Sequence, residues 1–600
     1  MCGLACTFAY GSKGPGVNKD ELLKVRDTMY NRGPDSSGLW VSDDHRIGLA
    51  HRRLSILDIS DAGSQPMLDE KTGNRIIFNG EIYNFKELRL SLQAQGHIFK
   101  SRSDTEVLLR LYSNYGQDML GMLRGMFAFV IWDEEKKGIF AARDQFGIKP
   151  LYIADDGSTI RIASQVKALL AGGSINLTTE PAGHVGFFLW GYVPEPYTLY
   201  KGVRALPSGT SLWVDYDGEI TYNEYFNLAD EYKKGLSIGE EIYYQDPQNT
   251  LHQALLDSVR HHLITDVSIG VFLSSGLDSS TITNLAVESG ERNLNTLTLG
   301  FKEFLNTDND EVPLADMLSN HIGTHHHSHR INSQDFFDEH KNIIQSMDQP
   351  SIDGVNTYFI CKAAKSEGLK VVLSGLGGDE LFAGYSYFDT IPKITRFSKL
   401  FGHFPIFRNI FRSATMPLSG KYISPKITSL LEYGESYEGA YLLSRSFFMP
   451  WEISEFLGKD FFQEGWNDLR TLLALKKTFG TLKSERTIIS ALELQWYMKS
   501  QLLRDSDWAS MAHSVELRVP FVDVDLFREI SKLIGFGFAP SKLNMANACK
   551  KPLPQSLLNK PKTGFSIPVE KWLLGQSNAR EEKDTNDLKL WSKMVHKAFN

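Results

Sequence analysis

The chain has 600 residues, 42% of them hydrophobic, with 64 basic and 72 acidic side chains and a formal charge of −8. That length exceeds one hydrophobic core, so at least two domains are expected. The acidic balance argues against a nucleic-acid binder, and no apolar run approaches the ~18–20 residues of a membrane span.

Four cysteines (Cys2, Cys6, Cys361, Cys549) are too few and too scattered for a disulfide framework. The opening Met-Cys-Gly-Leu-Ala-Cys lacks the pattern of a signal peptide. A reducing, cytoplasmic setting is expected. Cys2 follows the initiator Met. With Met1 removed it would carry a thiol and a free α-amine, whose reference pKa of about 7.7–8.0 suits it to take the thiol's proton. Leu22, Val25 and Met29 form a helical stripe that Asn31-Arg32-Gly33-Pro34-Asp35 ends. His51-Arg52-Arg53-Leu54-Ser55-Ile56 follows. A short strand, Arg75 to Phe78, then runs into Asn79-Gly80-Glu81-Ile82-Tyr83-Asn84. An Asn side chain beside a Gly backbone N–H makes an oxyanion hole. Ser103-Asp104-Thr105-Glu106 predicts a capping box opening a helix with Leu108, Leu111 and Tyr115 inside. Strands are expected at Met126 to Trp132, Gly138 to Ala142 and Leu151 to Ala154.

In this order and at this spacing, these motifs resemble the class II (N-terminal nucleophile) glutamine amidotransferase domain. The resemblance implies a four-layer α/β/β/α glutaminase sandwich, placed at residues 2–208. It implies that Cys2 attacks the glutamine amide and that Asn79 and Gly80 hold the oxyanion. Arg53 would bind the glutamine carboxylate, Asp104 and Glu81 its α-ammonium, and Ile56 would line the same pocket. Ala142-Arg143-Asp144 and Gly147-Ile148-Lys149-Pro150-Leu151-Tyr152 match a family segment read as structural.

Pro and Gly punctuate Pro181 to Gly209, and residues 209–600 form the second expected domain. Strand-like segments at Val267 to Leu273, Thr296 to Phe301, His325 to Ile331 and Lys370 to Ser374 alternate with helical ones. A doubly wound parallel α/β sheet follows, with a mainly helical part after about residue 385. Two polar loops fall at the carboxyl ends of its strands, where such sheets bind ligands. They are Ser274-Ser275-Gly276-Leu277-Asp278-Ser279-Ser280 and Ser374-Gly375-Leu376-Gly377-Gly378-Asp379-Glu380. Hydroxyls and backbone N–H groups there can hold phosphate, and a carboxylate can hold magnesium. His325, His326, His327 and His329 have no cysteine partner and are not read as a metal site. Arg396 to Arg412 interleaves basic and aromatic residues. Pro405 interrupts it, and it is expected to pack into the core with solvated basic ends.

The first loop resembles the pyrophosphate loop of ATP pyrophosphatases. With Asp507 to Phe521 and Lys560-Pro561-Lys562-Thr563-Gly564-Phe565, the second half resembles the synthetase domain of the glutamine-hydrolysing asparagine synthetase family. The resemblance implies ATP and Mg²⁺, with Asp278 and Asp379 on the metal. Ser274, Ser275, Gly276, Ser279 and Ser280 would cradle pyrophosphate, Ser374 and Gly375 would contact the adenosine part, and Phe272 and Leu299 would line the base pocket. Lys562 would neutralise the departing pyrophosphate. Ammonia from glutamine would attack an acyl-adenylate, leaving an amide, AMP and pyrophosphate. The partners implied are glutamine, ATP and a carboxylate acceptor, with no nucleic acid and no membrane span; a homodimer is compatible with them.

Three positions depart from the family pattern. Ser275 replaces a Gly, Arg504 replaces a Lys, and Leu376 replaces a Glu near the reacting carboxyl. Leu376 leaves two acceptors open, aspartate and a sugar uronate. A β-lactam synthetase would not need the intact Cys2 and Arg53. A phosphoribosyl-type amidotransferase or a non-catalytic scaffold would not need Asp278 and Asp379.

Overall fold

Alternate residues of strand Gly3–Ala9 enter different cores. Leu4, Cys6 and Phe8 pack between two sheets, whereas Ala5 packs beneath outer helices. In the computed structural model, which describes residues 1–11, 14–401, 405–419, 422–560, 572 and 587–599, this strand lies in one of two six-stranded antiparallel sheets. Helices Lys19–Thr28 and Val166–Gly172 cover the outer face of the first sheet through Leu22, Val25 and Leu169. Helices Phe85–Ala94 and Asp104–Tyr115 cover the second through Leu88, Leu92, Leu108 and Leu111. This is the expected four-layer sandwich. Its second sheet continues through Thr210–Val214 and Ile220–Glu224, past the residue 208 at which the sequence places the join.

Two local expectations are corrected. Ser103 caps its helix by accepting from the Thr105 N–H, but Glu106 does not reach back to it. Glu106 instead accepts from the N–H groups of Lys100 and Ser101 and the Ser101 hydroxyl, nearer in space. Tyr115, the helix's last residue, is 37% exposed because the stripe has rotated off the core by then.

The second half is built on a five-stranded parallel sheet. Its spatial order is His325–Ile331, Asn295–Phe301, Ile269–Phe272, Val371–Leu373 and Glu516–Arg518. Four of these strands were expected. The fifth, three residues long, lies inside the Asp507 to Phe521 motif. The chain order reverses between Ile269–Phe272 and Val371–Leu373, which opens a crevice at that point. Both polar loops leave the sheet there. The edge strand carries the histidines, and Glu367 pairs with His327 (3.2 Å) and His329 (2.9 Å). Among the described residues no helix is long and apolar enough to cross a membrane.

Arg396 to Arg412 departs from expectation. Pro405 begins a separate helix, Pro405–Thr415, after Tyr387–Phe401. Phe397 and Ile410 are exposed rather than packed in the core.

Candidate active site

Cys2 is buried at the start of the first strand, and its backbone N–H donates to Asn79 Oδ1 (2.8 Å). That hydrogen bond turns the Asn79 amide toward Cys2. Asn79 Nδ2 is buried and has no hydrogen-bond partner among the described residues, an arrangement that costs free energy until an acceptor arrives. Gly80 is strained for any other residue. Its φ is +152°, and a Cβ there would lie 2.0 Å from the Met126 carbonyl oxygen. Cys2, Arg53, Ile56, Gly80, Glu81 and Asp104 line one pocket together. The Arg53 guanidinium is buried and held by the carbonyls of Leu57 (3.2 Å) and Ser60 (2.9 Å). Among the described residues it has no carboxylate partner, which suits it to a ligand carboxylate.

Opposite charges face it. Asp104 accepts from the Ile82 N–H (3.0 Å), yet burial pushes its carboxyl up to about 6. Burial also raises Glu81 well above the ordinary range, reinforced by Glu516 and Asp104. A ligand ammonium would relieve that excess of negative charge. Burial raises the Cys2 thiol as well, against the lowering pull of the nearby N-terminal ammonium.

The second pocket lies in the crevice of the parallel sheet. Phe272, Ser274, Asp278, Ser279, Leu299, Ser374, Gly375 and Leu376 line it, the apolar side chains making one wall and the two loops another. The loops touch closely. A Cβ on Gly375 would meet Asp278 Cβ at 2.7 Å, and one on Gly378 would meet Asp278 Oδ1 at 2.3 Å. Ser279 Oγ and Ser274 Oγ share a hydrogen bond (2.9 Å), and Ser280 Oγ donates to the Gly276 carbonyl (2.7 Å). Ser275 is buried, and the Lys560 ammonium contacts its hydroxyl. Ser275, Gly276 and Ser280 therefore shape the loop without lining the pocket. The Lys562 assignment lies outside the described residues.

Asp278 and Asp379 converge on one cation, the Lys542 ammonium, which contacts Asp278 and sits 2.9 Å from Asp379. Burial works against this ammonium, but the two carboxylates outweigh burial and hold its pKa above the ordinary lysine value. Two carboxylates meeting at one positive charge beside a phosphate-type loop also fit Mg²⁺, which takes one or two protein carboxylates plus phosphate oxygens.

A family model described as a glutamine amidotransferase domain matches residues 1–226, and one described as asparagine synthase matches residues 250–595. The chain belongs to the asparagine synthase family. It is 33% identical over 598 residues to asparagine synthetase (glutamine-hydrolysing) 1 of Bacillus subtilis strain 168, covering 96% of this chain and 89% of that protein. Asparagine synthetase (glutamine-hydrolysing) 3 of the same strain is 30% identical over 539 residues, covering 87% and 79%. Asparagine synthetase B of Escherichia coli K12 is 32% identical over 413 residues, covering 65% and 66%.

This asparagine synthase-family chain has site residues that sequence reasoning missed. Lys542 is one: it stands 264 positions from Asp278 on the helix Lys542–Ala546, in a motif-free stretch. Glu516 and Arg518 are two more. Strand Glu516–Arg518 belongs to the second half, yet Glu516 lines the Cys2 pocket. Arg518 pairs with Glu516 (2.7 Å) and approaches Glu81 (3.5 Å). Leu517, on the opposite face, lines the nucleotide-type pocket. The helix Arg504–Met511 lines only the second pocket and reaches the first through Arg32. Asp505 and Ser506 line the second, while Asp507 takes Arg32 in a bidentate pair (2.6 and 3.0 Å), and Arg32 Nε donates to the Cys2 carbonyl (3.0 Å). The signal in the sequence was the polar run from Arg504 to Asp507, too rich in charge for an ordinary buried helix. Arg504 itself donates to the Val193 carbonyl (2.7 Å) and holds the inter-domain connection.

Proposed function

We propose that this chain hydrolyses glutamine at Cys2 and uses the ammonia to amidate an ATP-activated carboxylate, with aspartate as acceptor and asparagine, AMP and pyrophosphate as products. The observation that carries this reading is the wall between the pockets: strand Glu516–Arg518 sends Glu516 into one and Leu517 into the other, and helix Arg504–Met511 lines the second while Asp507 holds Arg32 against the Cys2 carbonyl. Ammonia released on one side of such a wall has a short way to the other.

With Met1 removed, the Cys2 nitrogen becomes an amine oriented by Asn79 Oδ1, and it takes the thiol's proton. The thiolate attacks the glutamine amide. Asn79 Nδ2 and the Gly80 N–H receive the oxyanion, an interaction made only as charge develops. Arg53 holds the glutamine carboxylate, and Asp104 and Glu81 hold its ammonium. In the second pocket Phe272 and Leu299 enclose the base, while Ser274, Ser279, Ser374 and Gly375 take the sugar and phosphates. Mg²⁺ held by Asp278 and Asp379 would neutralise phosphate charge. Lys542 then turns from the carboxylates to the phosphate oxygens as AMP passes to the acceptor and pyrophosphate leaves. The names of the relatives support aspartate as the acceptor.

One observation favours a second acceptor, a sugar uronate. Leu376 lines the pocket where the family places a Glu, and it can neither bind nor deprotonate an acceptor amine. Asp353 and Asp505 lie in the same pocket; burial raises both, Asp505 to about 7. The test is a screen for glutamine- and ATP-dependent AMP release with aspartate and uronate sugars side by side. Aspartate-dependent AMP release carries the first reading, and uronate-only release the second. ADP as the nucleotide product would refute both.

A further inference from the structure

The segment between Thr390 and Leu431 holds seven Lys or Arg and no Asp or Glu, in a chain whose net charge is −8. It lies outside both pockets. Helix Tyr387–Phe401 packs on helices Tyr437–Arg445 and Glu485–Leu492 and on helix Leu430–Tyr433, which in turn meets helix Pro405–Thr415 and the short helix Pro425–Thr428, so the described residues of the segment form one helical cluster.

Its surface is apolar as well as basic. Phe397, Leu400, Ile410, Leu418, Tyr422 and Ile427 are all exposed, with Leu400 and Tyr422 each at 73%. No other stretch of this length among the described residues exposes so many large apolar side chains. Lone exposed leucines need no explanation, but a cluster does. On helix Tyr387–Phe401, Lys393, Arg396, Phe397 and Leu400 recur at three- and four-residue spacing and share a face. Lys393 and Lys399 are exposed too. Arg396 pairs with Glu485 (2.9 Å) and Arg412 with Glu432 (2.7 Å), each a solvent-facing pair that an outside anion can replace at little cost. Lys426 is turned inward, donating to the Ser444 carbonyl (2.9 Å).

We propose that this helical cluster is a docking surface for an anionic phospholipid membrane. Lysines interleaved with exposed aliphatic and aromatic side chains match an interface in which apolar side chains enter the headgroup boundary and cations meet lipid phosphates. A protein-binding face would be expected to lack lysine at its centre. The overall negative charge of the chain would favour approach to a negative surface through a basic segment such as this one.

The experiment is vesicle flotation with the purified full-length protein. Vesicles of phosphatidylcholine alone are compared with vesicles carrying about 30% phosphatidylglycerol. Binding is expected only to the second, and raising the salt from about 0.1 M to about 0.5 M should release it. The double substitution Leu400→Glu/Tyr422→Glu should weaken binding at least about tenfold. Glutaminase turnover and circular dichroism should be unchanged, since neither residue touches either pocket. Equal binding to both vesicle types, no binding at all, or full binding by the double variant would overturn the proposal. So would a dimer in analytical ultracentrifugation that the double variant abolishes without any vesicle binding, which would assign the face to a second copy of this chain.

Discussion

Replacing Arg32 by Ala tests the contact between the two halves most directly. Arg32 and Asp507 are both buried, at 1% and 6% exposure, and their two hydrogen bonds of 2.6 and 3.0 Å have no solvent to replace them. Removing one partner of such a pair strands the other charge, at a cost of about 3–5 kcal/mol. For a folding unit of the size of the N-terminal half, about 2–4 °C per kcal/mol converts this to a drop of roughly 6–20 °C in its melting transition. Scanning calorimetry reads it. The double variant Arg32→Met/Asp507→Leu should recover most of the loss, because a buried ion pair exchanged for apolar side chains of similar volume is close to neutral. Glutaminase turnover should not recover with it, since Arg32 Nε also holds the Cys2 carbonyl at 3.0 Å. A shift below about 2 °C in Arg32→Ala, under one kcal/mol on this scale, would refute the reasoning. So would a double variant as unstable as the single one.

Three further outcomes are expected. Cys2→Ala should abolish glutamine-dependent synthesis while synthesis from added ammonia survives; product assays with each nitrogen source decide this, and wild-type glutamine hydrolysis by the variant would exclude Cys2 as the nucleophile. Lys542→Met should lower kcat/KM for ATP by about 10²–10³, the usual cost of one charge-stabilising group, and leave glutaminase turnover intact; unchanged ATP kinetics would remove Lys542 from the phosphate site. The third outcome is a pH dependence: burial pushes the Asp104 carboxyl up to about 6, and its ionised form is the one that binds an ammonium. KM for glutamine should therefore be flat above pH 7 and rise about tenfold per unit below 6, and Asp104→Asn should raise KM and flatten the profile.

The sandwich was legible through its motifs, which stand in consecutive loops and carry the family resemblance; of the strands in its two six-stranded sheets only Arg75 to Phe78, Met126 to Trp132, Gly138 to Ala142 and Leu151 to Ala154 were expected. The pockets were legible where they are built from such loops: Asn79-Gly80, Ser274 to Ser280, Ser374 to Asp379. What stayed hidden was whatever depends on distant pairing. Lys542 has no motif around it, and only the fold brings it between Asp278 and Asp379. The three-residue strand Glu516–Arg518 is too short for alternation to show, although that alternation sends Glu516 and Leu517 into different pockets. The surface of Tyr387–Phe401 misled because an aromatic stripe at helical spacing is ordinarily buried, and burial depends on a neighbour that a sequence pattern does not name.

Domains joined by a linker usually move against each other, because the interface between them is small and polar. Here buried charge contacts oppose such motion, among them Arg32 with Asp507, Arg124 with Asp523 (2.8 Å), and Glu516 with the Met1 ammonium (3.0 Å). The third changes when Met1 is removed, but Glu516 keeps Arg518 and stays in the wall of the first pocket. Apolar side chains of both halves meet as well: Leu54, Tyr83, Met126 and Phe146 lie in one cluster with Val271, Leu373 and Phe527. Separating the halves would expose that cluster and strand several charges, each at a cost of several kcal/mol. Parting the domains is therefore a costly way for any ligand to reach either pocket. Under the proposed function, a wall held by these contacts would keep the spacing of the two pockets constant, as transfer of a small neutral molecule from one to the other would require.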